Sequence, residues 1–376
     1  MAVIAIFCDG TWSRFDDGER THVAHLAAAC AENQAQKVLY FEGVGTGTGM
    51  ISDIGRWFSK IGGGLFGWGL NRNIKAAYLE LCKTYQPGDK IMIFGFSRGA
   101  YTARSLVGMI RKCGILSDPC EQNLELAFSL YRARGARNAP DAPRVWAARR
   151  RLSPDYATSA KDVMHRKDQS YLVRITYLGV WDTVGALGMP PSILGGIATL
   201  WNKRYAFHDT SLSHLVEHAR HAVSLDEKRV LFAPSLWGNL ESGPTGSGLN
   251  GTNTSDTRYY QQMWFAGNHG IIGGSTPPKG LAAASLGWIW AGAQQAGLSL
   301  KPNKRIPNVI VDTVGPAPAL YDVNKIYRLF PWLLKWRNGP SETYNLHPTA
   351  RMRAAFVSEY RPKSLKISLP GLFRRK

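Results

Sequence analysis

Apolar and polar positions along the chain follow two alternating patterns. Ala2–Cys8, Lys37–Phe41, Lys90–Phe94, Leu172–Val180 and Met263–Ala266 are short runs, several apolar on both faces, and they read as strands covered by helices. Between the second and third runs, Asn71–Leu81 places apolar residues at helical spacing and closes on Tyr85-Gln86-Pro87-Gly88-Asp89, a stop and turn. Ala100–Cys113 repeats the helical pattern, and Gly114 is its natural end. This alternation predicts an α/β fold with a mostly parallel central sheet flanked by helices. No internal repeat is visible.

Two segments interrupt the alternation. One is arginine-rich, from Glu121 to Gln169; the other, from Gly185 to Asp209, contains glycine and aromatic residues. Strand-like sequence resumes after each, so both read as cap-like insertions, at about 121–169 and 185–209, in one domain covering 1–315. Residues 316–376 alternate aromatic and basic side chains (Tyr327, Arg328, Phe330, Trp332, Lys335, Arg337) and read as a C-terminal segment packed on that domain. Thr183–Trp201 and Gly280–Leu300 are long and uncharged. The first is broken by Pro190-Pro191 and glycines, the second is Ala/Gly-rich, and neither reads as a membrane-spanning helix.

Composition narrows the class. Of 376 residues, 44% are apolar, 11% aromatic and only 19% charged, which excludes disorder as the main state. Lys+Arg number 46 against 27 Asp+Glu, a net charge of +19, which implies attraction to an anionic phospholipid surface, nucleic acid or anionic substrate. The five cysteines are scattered without CxxC spacing, fitting a reducing compartment and arguing against a disulfide scaffold or structural zinc. Met1 leads straight into the first strand with no signal peptide. A cytoplasmic location in the producing cell is expected, with any export independent of a signal peptide. No cofactor and no metal site is expected.

The chemistry centres on Gly95-Phe96-Ser97-Arg98-Gly99, the one G-x-S-x-G of the chain, between a strand and a helix. A nucleophile elbow needs that context, with flanking glycines because the turn is tight. A serine nucleophile needs a base and the base an orienter, in the chain order serine, acid, histidine on such a sheet. His269, in a glycine-rich loop after a strand-like run, is the favoured base among nine histidines, with His221 and His347 as competitors. Asp182, at the C-terminal end of Gly179-Val180-Trp181, is the favoured acid. Asp226 is its rival, read as a solvated helix end or ion pair because of its charged neighbours. For the oxyanion hole, the N–H of Arg98 is expected as one donor, and the loop at Gly10 and Thr11 as the other, with Asp9 shaping that loop.

These motifs together resemble the lipase-effector-like catalytic domain associated with bacterial type VI secretion. The resemblance runs over most of the chain. It includes Phe7-Cys8-Asp9-Gly10-Thr11-Trp12, the serine elbow, Gly179 to Gly185, Ser224-Leu225-Asp226-Glu227, Trp264 to Gly274 and Leu346-His347-Pro348. It implies an α/β-hydrolase with Ser97, Asp182 and His269 as triad, acting on phospholipid acyl esters, with a secretion-apparatus or immunity-protein partner. The chain departs from the family's Ser-Asp-Val/Ile-Gly-Gly after the histidine, where Gly270-Ile271-Ile272-Gly273-Gly274 stands instead. The function expected is a phospholipase A-like serine ester hydrolase. Acyl-chain contacts are expected from Phe58, Leu65, Phe66, Trp68 and the second insertion, and peripheral contact with an anionic membrane from the Arg132–Arg151 cluster and the tail. The alternatives are a soluble small-molecule esterase, and a basic membrane- or nucleic-acid-binding protein with a degenerate hydrolase site. No specific nucleic acid is expected, because no RNP-type motif or zinc spacing is present.

Overall fold

A computed structural model of the chain describes residues 1–10, 20–43, 64–166, 170–185, 210–242, 248–320, 327 and 330–373. The insertion at about 185–209 therefore lies almost wholly outside the described residues, as do Thr11, Trp12, Phe58 and His208; nothing is described of the side chains of Leu65, Phe66 and Trp68.

Six strands form one sheet: β1 (Val3–Cys8), β2 (Gln36–Phe41), β3 (Lys90–Phe96), β4 (Ile175–Trp181), β5 (Val216–Ser224) and β6 (Tyr260–Phe265). Their order is β2-β1-β3-β4-β5-β6, and every neighbouring pair is parallel. Helices α1 (His22–Ala29), α2 (Gly64–Thr84), α3 (Arg98–Cys113) and α8 (Lys279–Gln295) cover the sheet. The α/β architecture expected from the strand–helix alternation, a parallel central sheet flanked by helices, is the one observed.

The period of two in β1 shows how the strands earn two apolar faces. Ile4 and Ile6 join a core with Ile74, Leu81, Leu106 and Ile110 of α2 and α3. Ala5 and Phe7 point the other way, into a core with Leu26 of α1 and Ile289 of α8. The uncharged stretch from Gly280 is thus a helix buried against the sheet. No helix among the described residues is long and apolar enough to cross a membrane.

The arginine-rich insertion folds as α4 (Glu121–Arg132), α5 (Pro143–Leu152) and α6 (Ala160–Met164), with a small parallel ladder pairing Tyr156-Ala157 with Tyr171-Leu172. That ladder claims Leu172, so β4 begins later than the sequence run suggests. The insertion is not uniformly a basic face. Arg149 is fully buried, with Nε 2.9 Å from Asp162 and Nη1 donating to the carbonyls of Pro140 (3.0 Å) and Lys112 (3.2 Å). Arg134, Arg137, Arg144, Arg150 and Arg151 are exposed.

The C-terminal segment, with α9 (Pro348–Phe356) and α10 (Lys363–Ser368), lays Leu346, Ala350, Tyr360 and Leu365 against Val223, Leu225 and Trp264 at the end of the sheet. The chain runs from β1 outward to β2 and returns on the other side of β1 as β3, so strand order reverses there. Ligand sites of open parallel sheets lie beyond the strand C-termini at such a point.

Candidate active site

β3 delivers Ser97, and the turn that follows is tight. Ser97 has φ 57° and ψ −122°, a left-handed conformation that an ordinary side chain adopts only at a cost of about 1–3 kcal/mol. Its N–H donates to Trp181 O at 3.0 Å, and α3 starts at the next residue. The two glycines make this approach possible. A Cβ on Gly95 would lie 2.6 Å from Gly99 O, and one on Gly99 would lie 2.1 Å from Cys8 O, so α3 rests directly on the end of β1.

β6 ends at Phe265, and the short helix α7 (His269–Ile272) begins four residues on. Asn268 caps it, its Oδ1 accepting the Ile271 N–H at 3.0 Å. The His269 N–H is 3.2 Å from Glu227 Oε2, and the imidazole lies between the rings of Phe96 and Phe232, each centroid 4.7 Å away. Held this way, His269 Nε2 is 2.8 Å from Ser97 Oγ and Nδ1 is 2.6 Å from Asp182 Oδ2. Burial lowers the imidazole pKa, against the opposing pull of Asp182. The ring is therefore neutral near pH 7 and able to accept the serine proton.

Asp182 follows β4 with φ 38° and is completely buried. Burial alone would raise its pKa, but Arg337 and the hydrogen bond to His269 outweigh it and hold the carboxyl well below the ordinary range. Arg337 grips both oxygens, Nη1 at 2.6 Å from Oδ1 and Nη2 at 2.9 Å from Oδ2, while Nη1 also donates to Ser224 O at 2.9 Å and Nη2 to Phe232 O at 2.5 Å. The Ser224 N–H adds a bond to Oδ1 at 2.9 Å. Arg337 was expected in a headgroup-docking tail; it is instead buried behind the acid. No local spacing in Trp336-Arg337-Asn338-Gly339 separates it from the other basic residues of that tail.

The remaining sequence candidates fall elsewhere. Asp226 is neither solvated nor a helix-end ion pair: its Oδ2 accepts the Gly267 N–H at 2.7 Å and the Tyr360 hydroxyl at 2.8 Å, and burial pushes its pKa up to about 6. His221 lies beneath the site, its Nε2 accepting the Thr183 N–H at 3.1 Å with Nδ1 3.0 Å from Gln262. His347 caps α9 and stacks on Phe265. Asp9 sits beside the elbow, bound by Tyr40 (2.5 Å) and Thr21 (2.7 Å). The Gly10 N–H, expected to face an oxyanion, donates to Asp9 Oδ1 at 2.6 Å. Its carboxylate thus occupies the amide assigned to the oxyanion hole, while Thr11 lies outside the described residues and Arg98 opens α3 directly after Ser97. Among the described residues, no group of three or more His, Cys, Asp or Glu side chains is arranged to hold a metal ion.

The sequence model of the family described as "T6SS, Phospholipase effector Tle1-like, catalytic domain" matches residues 3–292. An uncharacterized protein of Saccharomyces cerevisiae is 30% identical over 236 residues, 60% of this chain and 31% of the yeast protein. A solved structure of the Tle1 effector bound to the VgrG spike from the Type 6 secretion system aligns with a TM-score of 0.36 at 18% identity, over 74% of this chain and 51% of the other. An uncharacterized protein from Pseudomonas aeruginosa aligns with a TM-score of 0.42 at 15% identity, over 100% of this chain and 55% of the other. The chain thus spans about half, or less, of the length of these proteins.

Proposed function

Because the chain belongs to the family of type VI secretion phospholipase effectors with a Tle1-like catalytic domain, we propose that it is a serine hydrolase cleaving the acyl esters of phospholipids. Ser97 Oγ attacks the acyl carbonyl as His269 Nε2 takes its proton, giving a tetrahedral intermediate. His269 then returns the proton to the leaving alcohol, and water repeats the sequence on the acyl-enzyme. Asp182 fixes the imidazole tautomer through Nδ1, and Arg337 fixes Asp182. The observation that carries this reading is the unbroken relay from Ser97 through His269 to Asp182, at 2.8 and 2.6 Å, on a serine in a strained turn.

The exposed arginines of the insertion support the companion reading that the protein meets an anionic lipid surface, where each basic side chain contributes about 1 kcal/mol. A secretion-apparatus partner and export without a signal peptide belong to the same proposal and rest on family membership alone.

A fluorophosphonate probe tests the chemistry. It should label the protein and fail to label Ser97→Ala, and Ser97→Ala should lose turnover of both a chromogenic ester and phospholipid vesicles. Labelling that persists in the variant, or lipid hydrolysis that survives it, rejects the reading. Turnover of soluble esters without activity on vesicles would instead favour a small-molecule esterase.

A further inference from the structure

A cavity of about 680 Å³ opens along α3, and none of Ser97, Asp182 and His269 lines it. That volume is within the ordinary range for small-molecule sites. One wall is a single face of α3, with Arg104, Val107, Gly108, Arg111 and Lys112 at helical spacing. The loop from Ala133 to Pro140 forms another wall, and Leu178, Leu212 and Trp237 add apolar surface. Gly108 keeps the space open, since a Cβ there would already come within 3.3 Å of the Tyr131 ring.

The lining is one-sided in charge. Four basic side chains (Arg104, Arg111, Lys112 and Arg134) line the cavity, and no carboxylate does among the described residues. Arg111 is neutralised from outside by Asp141, at 2.8 Å from both oxygens. Lys112 is not: it is buried, its ammonium donates, among the described residues, to the carbonyls of Ala133 at 2.6 Å and Tyr131 at 3.4 Å and to no carboxylate, and burial lowers its pKa. A buried cation facing carbonyls alone lacks the opposing charge that normally compensates its desolvation.

From these features we infer a second binding site for an anionic amphiphile, the chemistry of an acyl glycerophosphate. The anion supplies the counter-charge for Lys112, and a hydrocarbon segment lies along Val107 and Trp237. Arg134, exposed at the mouth, meets the anion on entry.

Calorimetric titration of Ser97→Ala protein, which leaves the probe intact under the proposed hydrolase reading, tests the site with a short-chain lysophosphatidate below its aggregation threshold. Saturable one-to-one binding is expected, at least about tenfold tighter than that of the uncharged monoacylglycerol of the same chain. Gly108→Leu fills the cavity and should abolish it; Arg134→Glu, on the exposed rim, should weaken it about tenfold even if the first variant does not fold. Failure of lysophosphatidate to saturate, equal binding of the monoacylglycerol, or undiminished binding in Arg134→Glu each overturns the inference. A failure of Ser97 to react with fluorophosphonate leaves this result standing, since the cavity shares no residue with the serine relay.

Discussion

At Asp182 a buried carboxylate answers to two partners at once, and their balance sets the chemistry of the site. Arg337 offsets part of its charge, so His269 is left less basic than an imidazole facing a bare carboxylate. Activity should therefore fall on acidification only below the ordinary histidine value of 6.5, because His269 has its pKa lowered and must be neutral to act. In Arg337→Gln the proton affinity of His269 rises. The acidic limb of kcat/KM against pH should move upward, and turnover should drop about 10²-fold as the acid loses its fixed position. A loss of turnover with an unmoved limb would assign Arg337 a purely structural part. Asp226 gives the opposite sign. Its folded pKa, about 6 against 3.8 in an open chain, means that the native state holds more protons than the unfolded one between those values. Stability contributed there declines as pH rises through that window. Both of its hydrogen bonds reach Oδ2, so the oxygen of an asparagine can accept both. Asp226→Asn should keep its turnover and unfold about 1–3 kcal/mol later above pH 6, the gain vanishing below about pH 4. Ser97, Asp182 and His269 were all legible from strand-end and loop context. Arg337 was not, because the contact spans 155 residues of chain and its neighbours carry no motif.

Among elements, the strands of β1 and β3 were legible because both their faces are apolar, and the elbow between β3 and α3 because only glycine fits its flanks. Two positions on α3 test this directly. Gly99→Ala drives a Cβ into the Cys8 carbonyl and should cost about 1–3 kcal/mol together with most of the activity. Gly108→Ala meets only the edge of a tyrosine ring and should be neutral or stabilising by up to about 1 kcal/mol. Thermal unfolding with an ester assay distinguishes the two. The strand β5 escaped sequence reading although it lies inside the sheet. Glu217, His218, Arg220 and His221 break any apolar run, yet Arg220 stacks on Trp288 at 5.2 Å and His221 is hydrogen-bonded on both nitrogens. A strand whose polar groups are satisfied by tertiary partners leaves no periodic trace. Arg149 misleads in the same way, a buried ion pair in a segment whose composition reads as a solvated basic surface.

For the molecule as a whole, the match to the family ends at residue 292, but the site does not. Residues beyond 315 supply Arg337 and the apolar cover over Val223, Leu225 and Trp264. A chain ending at residue 315 should run as aggregate on size exclusion and react poorly with fluorophosphonate, although it keeps all three relay residues. The net charge of +19 predicts that binding to anionic vesicles weakens steeply with added salt, which a sedimentation assay reads.

Synthesis proceeds from the N-terminus, so Ser97, Asp182 and His269 leave the ribosome well ahead of Arg337. A nascent polypeptide stalled between positions 269 and 337 would already own its hydroxyl and imidazole, yet the aspartate joining them would lack its guanidinium anchor. The carboxylate would stay uncompensated until position 337 had cleared the ribosome.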